Sequence, residues 1–347
     1  MGESADRPGR PRSRLLTARR FALLVLVACH GAPGRDTPSN RARTIDGVLV
    51  PSELDADVTP VTTATGGDAR HYYCTPTTAA DWNGQLVIYI AGAREDPGLA
   101  HAFAERACTR GFAAIAPAYK NDRAVRDLCE DNPDCYGAVR HEIVFGDDAA
   151  PELRMDPGNG LVHRIDTIAD RLAATSPAVW TPLRDRLRRR DFSQVIIAGF
   201  SQGSGHALLL AHDFAVSRVI MLSGVLDRVR SGTTSHGPVT WLATWATTNP
   251  KTPGTRMFAV NHAADPFTQP AELAANYAAL GVPDATCEVT EEPPSGECHR
   301  FVVKTSPCAR RIDGHVVPSV ASFGAECELS GGDRHMGPTW DYLLAPH

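Results

Sequence analysis

The stretch that most constrains this chain is the pentapeptide Gly-Phe-Ser-Gln-Gly at residues 199–203. It follows the apolar, mostly β-branched run Val195–Ala198 and precedes a run of small and apolar residues. This pattern predicts a strand, a sharp turn and a helix, with Ser201 at the apex of the turn. Such a turn needs minimal side chains two positions before and after the serine, because larger ones would collide with neighbouring backbone. Gly199 and Gly203 meet this requirement, so the turn is expected to present the Ser201 hydroxyl above a sheet.

Strand-like and helix-like segments alternate through the middle of the chain. Besides the run before Ser201, the apolar runs that predict strands are 85–90, 112–117, 216–224, 256–260 and 299–305, and helical periods cover 98–110 and 160–174. Short β-like pieces between 45 and 73 predict an antiparallel edge. The alternation predicts an α/β fold, a doubly wound, mostly parallel sheet with helices on both faces.

The domain organisation follows from the same pattern. Residues 45–347 are expected to form a single domain, with rim insertions at about 118–157 and 225–255 that influence substrate choice. Trp241 and Trp245 in the second insertion are placed either in a substrate pocket or in the core, and the spacing of four residues does not decide between these.

The N-terminus resembles an export signal. Six arginines precede the apolar run 21–28, which is too short to span a bilayer but suits the core of a signal peptide at residues 1–28. The sequence Leu-Val-Ala-Cys that ends at Cys29 resembles a bacterial lipobox, so Cys29 is expected to carry a lipid anchor, with an ordinary signal peptide as the alternative. Residues 29–44, rich in glycine, proline, serine and arginine, are expected to be a flexible tether.

Cysteine content and charge fit an exported protein. If Cys29 is lipidated, eight of the nine cysteines remain, an even number suited to an oxidising compartment. Spacing suggests local bonds Cys129–Cys135 and Cys287–Cys298, with Cys74–Cys108 and Cys308–Cys327 completing the set. No C-x-x-C spacing occurs, so no zinc site is predicted. The formal net charge of −5 does not indicate a nucleic-acid partner.

The strand-turn-helix around Ser201, called the elbow below, and the order of the strands and helices resemble the α/β-hydrolase superfamily over about residues 85–344. The resemblance implies a nucleophile, an acid and a histidine in that chain order. Asp265, just after the strand 256–260, is the expected acid, and Asp227 after the preceding strand is the alternative. The expected base is His315 in the loop after the last strand. His335, immediately before an expected terminal helix at 338–344, is the second candidate. His206 is expected to lie beneath the turn and not to act as the base.

The same resemblance implies two backbone N–H groups that bind an oxyanion. They are those of Gln202 and of Ala93, with Arg94 as an alternative to Ala93. The expected function is that of a serine esterase or lipase acting on a small-molecule or lipid ester, without cofactor or metal. A catalytically inactive surface-displayed binding protein and a peptidase of the same fold are the alternatives, and the oligomeric state is open.

Overall fold

In the computed structural model of this protein, the described residues are 47–49, 69–231, 234–267, 270–304, 314–315, 318 and 329–345. The strands are β1 (Gly47–Leu49), β2 (His71–Cys74), β3 (Leu86–Ile90), β4 (Ala113–Ala116), β5 (Val195–Phe200), β6 (Arg218–Leu222), β7 (Arg228–Ser231), β8 (Thr234–Pro238), β9 (Met257–His262), β10 (Thr286–Glu288) and β11 (Arg300–Val303). The α-helices are α1 (His101–Thr109), α2 (Val125–Cys129), α3 (Cys135–Phe145), α4 (Leu161–Thr175), α5 (Pro177–Arg188), α6 (Gln202–Asp213), α7 (Thr240–Ala243), α8 (Pro270–Ala279) and α9 (Leu329–Leu344).

Nine strands form one sheet in the order β1-β2-β4-β3-β5-β6-β9-β11-β10. The pairs β1–β2 and β2–β4 are antiparallel, and the remaining pairs of this sheet are parallel. Every residue of β3, β5, β6 and β9 is buried, which explains why these strands are continuous apolar runs rather than alternating ones. The predicted doubly wound α/β fold, with its antiparallel edge, is confirmed.

The helix after Ser201 is enclosed by the fold. Residues 202–211 of α6 are all buried, and α6 packs on β5, β6 and α3. A helix without a solvated face must be apolar or small on all sides, which the sequence Gly-Ser-Gly-His-Ala-Leu-Leu-Leu-Ala supplies. On the other face of the sheet, α1 packs against β4 and α9.

The two predicted rim insertions have regular structure. Segment 118–157 contains α2 and α3, and segment 225–255 contains the two-stranded β7–β8 hairpin and α7. Helix α3 also packs on α4 and α7, so it belongs to the core. Its irregular apolar period has a physical cause: it buries the polar side chains of Arg140 and Glu142 alongside Val139 and Ile143.

Three disulfide bonds lie within the described residues, Cys74–Cys108, Cys129–Cys135 and Cys287–Cys298. They occur at three of the pairs expected from spacing and are compatible with an extracellular or periplasmic location. The expected signal peptide, Cys29, the tether and the Cys308–Cys327 pair lie outside the described residues. In the part of the chain that the structure describes, no helix is long and apolar enough to cross a membrane.

Candidate active site

Ser201 occupies a sharp turn between β5 and α6. Its backbone has φ 52° and ψ −116°, a conformation that residues with a side chain seldom adopt. A Cβ atom on Gly199 would collide with the carbonyl of Gly203, and a Cβ atom on Gly203 would collide with the carbonyl of Ile90. The Ser201 N–H donates to the carbonyl of Leu222 at 2.8 Å, which ties the turn to the end of β6. The sequence therefore tolerates only glycine at both flanking positions.

Ser201, His315 and Asp265 form a continuous hydrogen-bonded chain. The Nδ1 atom of His315 lies 2.8 Å from Oδ2 of Asp265, and its Nε2 atom lies 2.8 Å from Oγ of Ser201. Because an ionised carboxylate only accepts hydrogen bonds, it places the imidazole proton on Nδ1 and leaves Nε2 free to accept from the serine. Asp265 is fully buried and His315 nearly so, while Ser201 is half-buried.

Contacts from three further residues orient this chain of groups. The Asp265 carboxylate accepts the N–H of Phe267 through Oδ1 at 2.8 Å, and this leaves Oδ2 directed at the imidazole. The Ser223 hydroxyl donates to the carbonyl of His315 at 2.5 Å. The rings of Phe200 and Phe267 lie 5.1 Å and 4.9 Å from the imidazole, measured between centroids. The histidine is thus held through both its backbone and its ring.

The alternative acid and base lie in other environments. Asp227 is engaged by the guanidinium of Arg140, with Nε to Oδ2 at 2.6 Å, and by the indole N–H of Trp241 at 2.9 Å. His335 lies within α9, not before a terminal helix as predicted from the sequence. It lies close enough to His262 to act on that residue, whose pKa is lowered mainly by burial, is raised in part by Asp265 and is lowered further by His335. The structure brings His315 and Asp265, and not His335 or Asp227, to Ser201.

Two other predicted residues lie in packed surroundings. His206 is fully buried in α6, where its ring lies 5.3 Å from that of Tyr119 and its Nδ1 3.4 Å from the Arg140 guanidinium. Trp245 is buried and packs edge-on against Trp241. Trp241 contacts Asp227 through its indole N–H, and Trp245 packs against the ring of His212 as well.

The two predicted oxyanion donors, the N–H groups of Gln202 and Ala93, are not engaged by acceptors in the described part of the protein. Gln202 is the first residue of α6, so its N–H has no acceptor in a preceding helical turn. Within the described residues, the Ala93 N–H has no protein acceptor either. The Arg94 N–H donates to the carbonyl of Asn121 at 2.7 Å, which removes Arg94 as the second donor. The Asn121 side chain in turn donates to the carbonyl of Gly92 at 2.7 Å.

Glu95 is an unexpected carboxyl group in this loop. Its Oε2 accepts the Gly92 N–H at 2.5 Å, one residue before Ala93. Burial raises the pKa of Glu95 to about 7, although the hydrogen bond from Gly92 favours the ionised form. The sequence analysis did not identify Glu95, because the residue type alone does not tell whether a glutamate in a loop is buried or exposed.

Arg140 and Ser223 were also missed from the sequence. Arg140 Nη1 donates to the carbonyl of Gln202 at 2.9 Å and so contacts the first turn of α6 from below. Ser223 follows β6 with φ 51°, and a serine after a strand carries no distinguishing pattern. Among the described residues, no group of three or more histidine, cysteine, aspartate or glutamate side chains is arranged to hold a metal ion.

The sheet order, the strand-turn-helix around Ser201 and the chain order of serine, aspartate and histidine define an α/β-hydrolase fold. No family model and no curated protein matches the sequence. Among solved structures, an esterase from Thermogutta terrifontis with bound propionate is similar at 14% identity and a TM-score of 0.38, covering 83% of this chain and 95% of that chain. An acetyl xylan esterase from Aspergillus awamori is similar at 15% identity and a TM-score of 0.36, covering 65% and 79%. An alpha-beta serine hydrolase homologue from Coxiella burnetii is similar at 12% identity and a TM-score of 0.36, covering 72% and 86%.

Proposed function

We propose that this protein is a serine hydrolase that cleaves a carboxylic ester through an acyl-enzyme intermediate. The observation that carries the proposal is the chain of two 2.8 Å contacts from Asp265 through His315 to Ser201. In this role Ser201 is the nucleophile, His315 the general base and acid, and Asp265 the group that fixes the histidine tautomer.

In the acylation half of the reaction, Ser201 Oγ forms a bond to the ester carbonyl carbon while its proton passes to Nε2 of His315. The carbonyl oxygen becomes an oxyanion, which the N–H groups of Gln202 and Ala93 stabilise. The intermediate then breaks its bond to the alcohol oxygen, and the imidazolium returns the proton to that oxygen. An alcohol leaves, and the acyl group stays on Ser201.

In the deacylation half, a water molecule attacks the acyl carbon and gives its proton to Nε2 of His315. The second oxyanion collapses, the bond to Ser201 Oγ breaks, and the serine recovers the proton from the histidine. Asp265 keeps its negative charge throughout and stabilises the imidazolium in both halves. Its complete burial and its second hydrogen bond, from Phe267, favour a fixed geometry for this task.

The cellular setting is part of the same proposal. We infer export directed by residues 1–28 and a lipid anchor on Cys29, which would bring the enzyme to a membrane surface and to small-molecule or lipid esters. The three disulfide bonds support an oxidising compartment.

The test is hydrolysis of p-nitrophenyl acetate and butyrate by four variants. Ser201→Ala and His315→Gln are expected to lower kcat/KM by about a thousandfold or more. The residues of a catalytic triad act as a unit, so the loss of one member removes most of the rate enhancement that the triad supplies. Ser193→Ala, an exposed serine before β5, and His335→Gln are the matched controls and should retain wild-type turnover. Undiminished turnover by Ser201→Ala would overturn the proposal, and a loss in His335→Gln but not His315→Gln would overturn the choice of base.

Two further readouts separate the alternatives. A fluorophosphonate probe should label the wild type and not Ser201→Ala, whereas an inactive binding protein would be labelled equally weakly in both forms. A matched amide of the best ester should be hydrolysed far more slowly than the ester. Faster cleavage of the amide would favour a peptidase.

A further inference from the structure

Phe267 stands apart from the other apolar side chains of the protein. It is 47% exposed, and within the described residues no other large hydrophobic side chain is as exposed. Its ring centroid lies 4.9 Å from that of His315, with the two planes at 69°. An apolar ring left in contact with water beside a reacting group is a common feature of a ligand site.

The backbone of Phe267 is held firmly although its ring is exposed. Its N–H donates to Asp265 Oδ1 at 2.8 Å, and its carbonyl accepts from Nη2 of Arg228 at 2.6 Å. Arg228 is almost fully buried, and its Nη1 is paired with Glu272 at 2.7 Å. Phe267 is therefore fixed to the acid on one side and to the start of β7 on the other, so its position is set before any ligand arrives.

The sheet order determines which part of a substrate meets this ring. Strand β3 lies on one side of β5, whereas β6 and then β9 lie on the other side. Ala93 follows β3 and Phe267 follows β9, so the oxyanion donor and the aromatic ring flank Ser201 on opposite sides. The carbonyl oxygen of a bound ester points toward Ala93 and Gln202, and the ring lies away from it.

The path of the proton from His315 to the leaving group identifies which part of the ester lies on the Phe267 side of Ser201. His315 Nε2 must reach the alcohol oxygen to protonate it as the bond breaks. The leaving alcohol therefore lies against the imidazole. Among the described residues, two phenylalanine rings pack against this imidazole, the buried Phe200 and the exposed Phe267. Of these two rings, that of Phe267 is the one exposed to a group attached to the alcohol oxygen.

We propose that Phe267 binds the alcohol portion of the ester and that the enzyme selects esters whose alcohol group is aromatic or otherwise apolar. This inference rests on the proposed hydrolase function. It assigns specificity to the leaving-group side of the site, with Arg228 as the residue that positions the ring.

The test compares two series of alkyl esters in the wild type and in Phe267→Ala and Phe267→Leu. One series holds the acyl group as acetyl and varies the alcohol through methyl, butyl, cyclohexylmethyl and benzyl. The other holds the alcohol as methyl and varies the acyl group from acetyl to hexanoyl. Alkyl and benzyl alcohols are used because their leaving-group pKa values differ little compared with those of phenols.

We expect kcat/KM of the wild type to rise along the alcohol series toward benzyl acetate. Phe267→Ala should lower kcat/KM for benzyl acetate roughly tenfold more than for methyl acetate, chiefly through KM, since an aromatic contact is lost. The benzyl-to-methyl preference of Phe267→Leu should lie between those of the wild type and Phe267→Ala. Along the acyl series, the ratio of kcat/KM for hexanoyl to kcat/KM for acetyl esters should be the same in all three proteins. Equal losses in both series, or a loss confined to the acyl series, would overturn the inference.

Ser201→Ala separates this outcome from a failure of the proposed function. If the wild type hydrolyses both series in a Ser201-dependent way but Phe267→Ala affects them alike, the function stands and the inference falls. If neither series is hydrolysed in a Ser201-dependent way, the proposed function itself falls.

Discussion

Arg140 and Asp227 form a bidentate ion pair inside the protein, with Nε to Oδ2 at 2.6 Å and Nη2 to Oδ1 at 2.5 Å. Their side chains are 2% and 3% exposed, so the charges are almost completely removed from water. The free side of the guanidinium donates to the carbonyl of Gln202 at 2.9 Å. The pair therefore connects α3 and the loop after β6 to the first residue of α6.

Replacing one partner of this pair should destabilise the protein more than replacing both. Arg140→Met leaves the Asp227 carboxylate buried without a cation and is expected to cost about 3–5 kcal/mol of unfolding free energy. The double variant Arg140→Met with Asp227→Leu removes both charges and should recover most of that loss. Chemical denaturation of the two variants measures this difference.

The kinetic outcome of the same variants distinguishes a positioning role from simple stabilisation. Neither variant restores a donor to the Gln202 carbonyl, so we expect kcat of the refolded double variant to stay roughly tenfold below wild type. A double variant that is stable and fully active would show that the ion pair has no influence on the site.

The Ser223 hydroxyl should influence catalysis through the backbone of His315. Ser223→Ala removes the hydrogen bond to the His315 carbonyl and is expected to lower kcat roughly threefold to thirtyfold with little change in KM, because the histidine loses one restraint. Thr252→Val is the matched control. It removes a buried hydroxyl that bonds Val216 and Phe214, at the opposite ends of the strands. It should lose similar stability but keep kcat, and an equal fall in kcat for both variants would contradict the assignment.

Glu95 should make folding stability depend on pH in a window that ordinary carboxylates do not occupy. Because burial raises its pKa in the folded protein from 4.5 to about 7, the folded state binds this proton more tightly than the unfolded state. The resulting stabilisation is present below about pH 4.5 and is lost as pH rises toward 7. Its size is roughly 1–3 kcal/mol, reduced by partial solvent access. Glu95→Gln should flatten the dependence of Tm on pH between these limits, and an unchanged profile would contradict the raised pKa.

Local patterns were sufficient for the elbow, the buried strands and the fold class. Val195–Gly203 fold as predicted because the strand, the two small residues and the helix are adjacent in sequence. Asp265 and His315 follow predicted strands, and parallel strands bring their carboxyl ends to one edge of the sheet. Both His315 and His335 follow the last strand in sequence, so their positions in the chain do not decide between them. The 2.8 Å distance from His315 Nε2 to Ser201 Oγ favours His315.

Three features were beyond the sequence for identifiable physical reasons. The Arg140–Asp227 pair joins residues 87 positions apart, and no local pattern specifies such a contact. Helix α3 buries charged side chains, which obscures its apolar period. Helix α9 begins at Leu329 and contains Pro338. Because proline is most common in the first turn of a helix, the sequence predicted that this helix begins at Pro338.

The Cys129–Cys135 bond should support the active site, whereas Cys287–Cys298 should support stability alone. The first bond joins α2 to α3, and the first N–H of α2, from Val125, donates to the Gln202 side chain at 2.8 Å. The second joins Cys287, within β10 at the far edge of the sheet, to Cys298 in the segment before β11.

Both bonds close short loops, so replacing either pair by serines should cost about 2–3 kcal/mol. We expect the Cys129→Ser, Cys135→Ser variant also to lose several-fold in kcat, since Gln202 is less well fixed. The Cys287→Ser, Cys298→Ser variant should keep wild-type kcat when both are assayed well below their Tm. Equal kcat values in the two variants would show that α2 does not restrain the oxyanion donor, and a larger kinetic loss in the second would reverse the assignment.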